Sequence, residues 1–170
     1  MPSSPFVDAI RAKVGHDLIM LPSATVMLFD DQHRLLLVED ANTGYWITVG
    51  GAVDPDEPPA DAAVRECWEE LGLLVEPTRL IGVFGGPHFR SNYANGDTVS
   101  YVVAMFEIRL LSGTPTPDNL EISHVRYVTR DEMRQLPMSD GTREMFEYAF
   151  AFDGHTPHFS KPTWHPPAKK

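Results

Sequence analysis

One stretch constrains this chain more than any other: Gly51 to Leu73, GAVDPDEPPADAAVRECWEELGL. Its skeleton is Gly51, Glu57, Arg65, Glu66, Glu69, Glu70 and Gly72, spaced G-x5-E-x7-R-E-U-x-E-E-x-G-U, with U a bulky aliphatic residue. At usages of about one in fifteen per residue, seven fixed positions recur by chance in on the order of one window in 10^8. Pro58 and Pro59 suit the first turn of a helix, where a missing N–H has no partner to lose. Gly72 suits the left-handed position just past a helix end. The spacing therefore predicts a helix from Pro59 to Leu71. On a helical wheel Glu66, Glu69 and Glu70 share one face, because residues three and four apart are neighbours. Ala60, Ala63, Val64, Cys67 and Leu71 fall on a different face and are expected to pack into a core, with Trp68 at its edge. Asp61 and Glu69 each lie four residues from Arg65, so either can steady its guanidinium.

Three clustered carboxylates repel one another, and without a cation between them some would tend to protonate. A hard divalent cation removes the conflict. Mg2+ takes oxygen ligands, keeps several waters and bridges carboxylates to substrate phosphates. An isolated E-x-x-E-E run is usually a solvated helix face. The flanking glycines, Arg65 and Glu57 point instead to a built site.

This box resembles that of the Nudix hydrolases, and the order of the flanking elements agrees with that family over residues 20 to 152. Two positions depart from the usual pattern. Cys67 stands at the first aliphatic position, where it serves as a small hydrophobe, and Val49 stands where many members have proline. The resemblance implies an α+β architecture, the Nudix fold, with a mixed β-sheet sandwiched between α-helices. It also implies an enzyme that hydrolyses the pyrophosphate bond of a nucleoside diphosphate linked to another group. Mg2+ is the implied cofactor, with Mn2+ as a substitute. Glu66, Glu69 and Glu70 are the implied metal ligands, joined by the Gly50 carbonyl. Arg65 and Glu57 complete the catalytic set as positioning groups. Glu121, ahead of a late strand bearing Tyr127, is expected as a further ligand or general base.

Substrate choice is expected to lie outside the box. His88, Phe89, Arg90 and Tyr93 follow Pro87 in one polar and aromatic loop, and Tyr45 and Trp46 precede the glycine pair. An aromatic ring can stack on a base, and Arg90 can pair with a phosphate. Members acting on ADP-ribose tend to carry a proline about fifteen residues past the box, and Pro87 lies fourteen past Leu73. This favours ADP-ribose or a nucleotide sugar, although the long N-terminal extension common in dimeric ADP-ribose enzymes is lacking. Alternatives are a (d)NTP, a dinucleoside polyphosphate, or a non-catalytic nucleotide-sensing domain, which would usually have lost box carboxylates. An isomerase on a similar scaffold would want a cysteine outside the box, and Cys67 is the single cysteine.

Composition narrows the partners. The 170 residues suit one catalytic domain, divided here as a lead-in helix over 1–20, the domain proper over 21–152 and a Pro-rich tail over 153–170. A formal net charge of −10 disfavours a nucleic acid duplex, yet leaves room for a small phosphorylated substrate whose charge a metal can answer. No disulfide can form within the chain, and no signal segment or membrane-length apolar run is evident, so a cytoplasmic protein is expected. A homodimer is compatible with all of this.

Apolar periodicity and turn residues supply the other elements. A helix is expected over 5–14, ended by Gly15. An apolar run over 18–21 is stopped by Pro22. Strands over 24–29 and 34–39 form a hairpin around Asp30–His33. Further strands are expected over 45–49, 73–75, 80–84, 98–110 and 124–129. A short helix over 131–136, a helix over 142–152 and an irregular, loosely held tail with exposed histidines complete the reading. His124, His155, His158 and His165 form no metal-site spacing.

Overall fold

The computed structural model describes residues 4–166. Helix α1, Pro5–Val14, leads into strand β1, Ile19–Met27, and strand β2, Leu35–Asp40. Two short strands follow, β3 at Trp46–Ile47 and β4 at Gly50–Ala52. They deliver the chain to helix α2, Pro59–Leu71, which ends at Gly72 in the left-handed conformation (φ 66°, ψ 25°). Both helix ends fall where the prolines and glycine place them. Strand β5, Leu74–Phe84, and a 3-10 turn at Pro87–Phe89 come next, then β6, Arg90–Asn92, and β7, Thr98–Ser112. Strand β8, Ile122–Val128, the short helix α3, Arg130–Met133, and helix α4, Asp140–Ala151, close the fold.

The strands form two sheets. One is mixed, with order β4-β1-β7-β5 and β6 paired beside β7; the other is antiparallel, with order β3-β2-β8. In the mixed sheet β1 and β7 run parallel in unbroken register from Ile19–Val99 to Met27–Glu107. The larger strands are buried on both sides. Val26, Leu28, Leu36 and Val38 join one core with Ala62, Ala63, Cys67 and Leu71 of α2. Their neighbours Met27, Leu35 and Leu37 join a second core with Phe146 and Ala149 of α4. A strand with an apolar layer on each face reads as a continuous apolar run, and both runs do.

Four expectations need correction. The hairpin survives only at its tip, where Phe29 bridges Leu35 and the Leu36 N–H donates to the Leu28 carbonyl at 2.9 Å. Beyond it β1 and β2 part into different sheets: β1 pairs with β7 on one edge and β4 on the other, while β2 pairs with β3 and β8. Pro22 does not stop the first run. Pro22 sits at the end of the β4–β1 pairing, where its carbonyl accepts from the Val53 N–H at 3.1 Å and only the reciprocal bond from its missing N–H is lost. The segments over 73–75 and 80–84 merge into the single edge strand β5, which absorbs Pro77 through register shifts. The tail is held at one point. The His158 N–H donates to the Ile81 carbonyl at 2.7 Å, and the Val83 N–H donates to the His158 carbonyl at 3.0 Å. The His158 ring lies over Tyr148 at 3.7 Å and against Phe84 at 4.8 Å, whereas His155 and His165 are exposed. The last four tail residues lie outside the described range.

Gly82 makes that docking feasible, since a Cβ there would stand 2.8 Å from the His158 Cβ and 2.9 Å from its carbonyl oxygen. Gly82→Ala is expected to release the tail and lower stability by about 1–3 kcal/mol, the usual cost of overpacking. Hydrogen exchange at the Val83 amide should accelerate and proteases should cut within 153–166 sooner. Unchanged protection at Val83 would contradict this.

Candidate active site

The box helix is tied to the loop before it by one guanidinium. Arg65 Nε and Nη2 donate to the two oxygens of Glu57 at 2.9 and 3.1 Å. Nη2 also donates to the Ala52 carbonyl at 3.0 Å, and Nη1 to Glu66 Oε1 at 2.7 Å and Glu69 Oε2 at 3.0 Å. Of the two carboxylates four residues away, Glu69 makes the contact. The planar fork suits this, because its donors diverge in fixed directions. Glu57 Oε2 in turn accepts from the Asp54 N–H at 3.0 Å, closing the loop. The hydrogen bond from Arg65 holds the Glu57 carboxyl below its ordinary range, and Glu57, then Glu66, raises Arg65 further.

The glycine pair is required by close approach. A Cβ on Gly51 would stand 2.2 Å from Glu66 Oε1, and one on Gly50 would stand 2.4 Å from the Ala24 carbonyl oxygen. Glu66 therefore lies flat against the backbone of β4. Gly50 pairs with Thr25 in the β4–β1 register, which fixes the peptide whose carbonyl is the expected additional ligand.

Glu70 departs from the expected picture. The shared face of Glu66, Glu69 and Glu70 is not uniformly exposed: Glu69 is exposed, Glu66 is half-buried, and Glu70 is only 6% exposed. Ala62 is buried too, while Ala60 and Val64 are only partly covered. The reason is a second cover. The loop after β7 meets the C-terminal end of α2, where the Thr116 N–H donates to the Leu71 carbonyl at 3.2 Å, and it brings Asp118 and Glu121 near enough to act on Glu70. Glu70 Oε2 is buried with no hydrogen-bond partner. Burial, with repulsion from Glu66, Glu121, Asp118 and Glu69, pushes its carboxyl up to about 9. Burial also raises Glu66, against the pull of Arg65. Glu121 is raised by burial too, with Asp118, Asp40 and Glu69 adding repulsion.

Asp118 was not anticipated from the sequence. Its Oδ1 accepts from the backbone N–H groups of Leu120, Glu121 and Ile122 at 3.0, 3.0 and 2.9 Å. Burial alone would raise Asp118, but these backbone donors outweigh it and lower the carboxyl. The result is a fixed turn that holds Glu121 beside the box helix. The signal was present in the Pro117-Asp118-Asn119 run, since aspartate commonly caps the amides just after it. Burial pushes the Cys67 thiol up to about 12, with Glu70 and Glu66 adding to it, so Cys67 is a packing residue.

On the other side of β4 lies a cavity of about 190 Å3. Gly50, Gly51, Thr25, Thr48, Tyr93 and Tyr101 are among its walls, and His88 and Phe89 also line it. Arg90 is exposed on β6 and does not line it. Nor do Tyr45, which is exposed, or Trp46, whose ring lies under the Arg126 guanidinium at 4.6 Å.

The NUDIX domain family matches residues 20–149. The chain belongs to that family. A MutT-like protein of Streptomyces ambofaciens is 30% identical over 74% of this chain and 72% of its own length. The fold is shared with a UDP-X diphosphatase (TM-score 0.65, 22% identity, covering 92% of this chain and 74% of the other). It is also shared with an ADP-ribose pyrophosphatase of Streptococcus suis (TM-score 0.58, 24% identity, covering 82% and 96%). Among the described residues of this Nudix protein, no helix is long and apolar enough to cross a membrane.

Nudix enzymes generally use divalent cations, and the residues here fit one. The donor set around α2 is all oxygen, as a hard cation prefers, and Glu70 Oε2 is a buried acceptor without a donor. Among the described residues, no three carboxylates, imidazoles or thiolates are already gathered into a cage. Glu66 and Glu69 are turned to Arg65 instead, so a bound ion would depend on waters and substrate oxygens for part of its shell.

Glu70 also makes stability depend on pH in the metal-free protein. Its folded carboxyl titrates above its unfolded value near 4.5, so the folded state holds the extra proton between about 4.5 and about 9. The stabilisation from that proton is complete below the unfolded value and is lost as pH rises through about 9. Glu70→Gln is the near-isosteric variant, whereas charge reversal would bury a cation, contrary to the exposure first expected. With metal chelated, Glu70→Gln should flatten the fall in Tm between pH 5 and pH 9 (about the carboxyl range given above). A variant with the parent's slope would contradict the burial.

Proposed function

We propose that this Nudix hydrolase cleaves the pyrophosphate bond of a nucleoside diphosphate derivative, ADP-ribose or a nucleotide sugar. Glu66, Glu69, Glu70, Glu121 and the Gly50 carbonyl would hold Mg2+, with Mn2+ able to replace it. One observation carries this reading: Glu70, a nearly buried carboxylate with an unpartnered oxygen, faces further carboxylates where a cation is wanted. Such an arrangement weakens the fold unless something positive occupies it. The names of the two solved structures with this fold, which specify UDP-X and ADP-ribose, support the choice of diphosphate-linked substrates.

Hydrolysis must overcome the repulsion of the nucleophile by phosphate charge. A divalent cation, when bound, supplies charge neutralisation at phosphate oxygens and lowers the pKa of its water. The chain's own residues do the rest. Glu66 and Glu70 fix the position of the charge against β4. Arg65 and Glu57 are positioning residues, because every Arg65 nitrogen is engaged within the protein. Glu121, held by the Asp118 turn and raised by burial, would take the proton from the attacking water where it does not itself hold the ion.

The test is a panel of ADP-ribose, UDP-glucose and dNTPs with Mg2+ or Mn2+, scored for released products. Cleavage should need the metal and stop with a chelator. Glu66→Gln and Glu70→Gln should each lower kcat by about 10^2-fold or more, as should loss of a general base at Glu121→Gln. Full turnover with normal metal dependence in Glu121→Gln would remove it from the mechanism. No cleavage of any member of the panel would sink the function.

A further inference from the structure

The cavity beyond Gly51 has a chemistry unlike the acidic side of the same strand. Its polar lining is mostly hydroxylic, and no lysine or arginine is among its walls. Three of those hydroxyls already donate to backbone: Ser23 to the Gly51 carbonyl at 2.8 Å, Thr25 to the Val49 carbonyl at 2.9 Å, and Thr48 to the Val26 carbonyl. With their protons spent, they offer lone pairs to anything in the cavity. The Tyr93 and Tyr101 hydroxyls stand 2.5 Å apart, so one donates to the other and a single proton is left for a ligand. Burial, and then Tyr93, raises Tyr101 above the ordinary phenol range, which keeps that proton in place at neutral pH. His88 at the wall is 3.4 Å from Glu144 Oε2.

An anion in such a space would find no lysine or arginine in the walls to pair with, which makes its desolvation costly. A sugar ring is the opposite case. Each of its hydroxyls both donates and accepts, which matches walls that offer acceptors from Ser23, Thr25 and Thr48 and donors from the Tyr93–Tyr101 and Ser139–Thr142 pairs. Size agrees, because about 190 Å3 leaves room for a single ring. Position agrees as well. Gly51 lines the cavity on one side and lies against the Glu66 carboxylate on the other.

We propose that this cavity receives the uncharged, hydroxyl-bearing ring attached to the substrate's diphosphate, and that Tyr93 and Tyr101 select sugar-linked diphosphates over nucleoside triphosphates. This rests on the function proposed above and assigns the cavity and these two tyrosines to its sugar-linked substrates. A nucleoside triphosphate carries no second ring beyond its phosphates to place there and would find no lysine or arginine in the walls.

Equilibrium binding separates the two claims. UDP-glucose, ADP-ribose and dATP are titrated by calorimetry, with divalent metal chelated, into the parent protein, Tyr101→Phe and Tyr93→Phe. The parent is expected to bind the two sugar-linked compounds about tenfold tighter than dATP. Each variant should weaken them by about 3–10-fold, the loss of one hydrogen bond, and leave dATP nearly unchanged. With Mg2+ present, KM for the sugar-linked substrates should rise by the same factor while kcat holds. Binding of dATP as tight as that of the sugar-linked compounds would overturn the assignment. So would sugar-linked affinity unchanged in both folded variants. Metal-free selectivity in a protein that cleaves nothing would uphold the cavity and defeat the hydrolytic reading instead.

Discussion

The guanidinium of Arg65 is the fixed point from which the site is built. Its five hydrogen bonds join the end of β4, the loop carrying Glu57 and the middle of α2 into one unit. A lysine could not do this, since one ammonium cannot pair in the plane of a carboxylate while reaching two others. The same network has a consequence for charge. Arg65 answers Glu57, Glu66 and Glu69, and Glu70 has no such counter-charge. The carboxylate that is buried is thus the one left unneutralised, and that imbalance is what a divalent cation would resolve.

Much of this was legible beforehand, for physical reasons. Prolines and a glycine set the ends of α2 through backbone constraints that act within a few residues, and those ends fell where expected. The Arg65–Glu57 contact is likewise encoded in a short loop. Burial of Glu70 was not legible, because it depends on a loop more than forty residues later folding over the helix. The wheel gives which residues share a face and cannot say how many neighbours cover it. The split of β1 and β2 between sheets failed to show for the same reason: their long partners, β7 and β8, lie far along the chain.

The substrate side was legible only in part. The loop after Pro87 was recognised as a candidate, and His88, Phe89 and Tyr93 do line the cavity while Arg90 faces away. A three-residue strand is enough to send alternate side chains to opposite faces, and β6 carries no local signal that sets it apart from a loop. Tyr101 was hidden inside a long strand candidate, where its pairing with Tyr93 arises from the hairpin between β6 and β7. The tail illustrates a further limit. A Pro-rich composition argues against a packed core, yet one histidine finds a sheet edge and a glycine that admits it.

The central claim is that buried acidic side chains on α2 are arranged for a divalent cation. Calorimetric titration of Mn2+ into the metal-free protein near neutral pH, repeated in buffers of different ionisation enthalpy, tests it most directly. Because Glu70 holds a proton in the metal-free protein, binding should release about one proton per ion, and Glu70→Gln should abolish that release and weaken the binding. Mn2+ that binds without releasing protons, with the same affinity in Glu70→Gln as in the parent, would contradict the account.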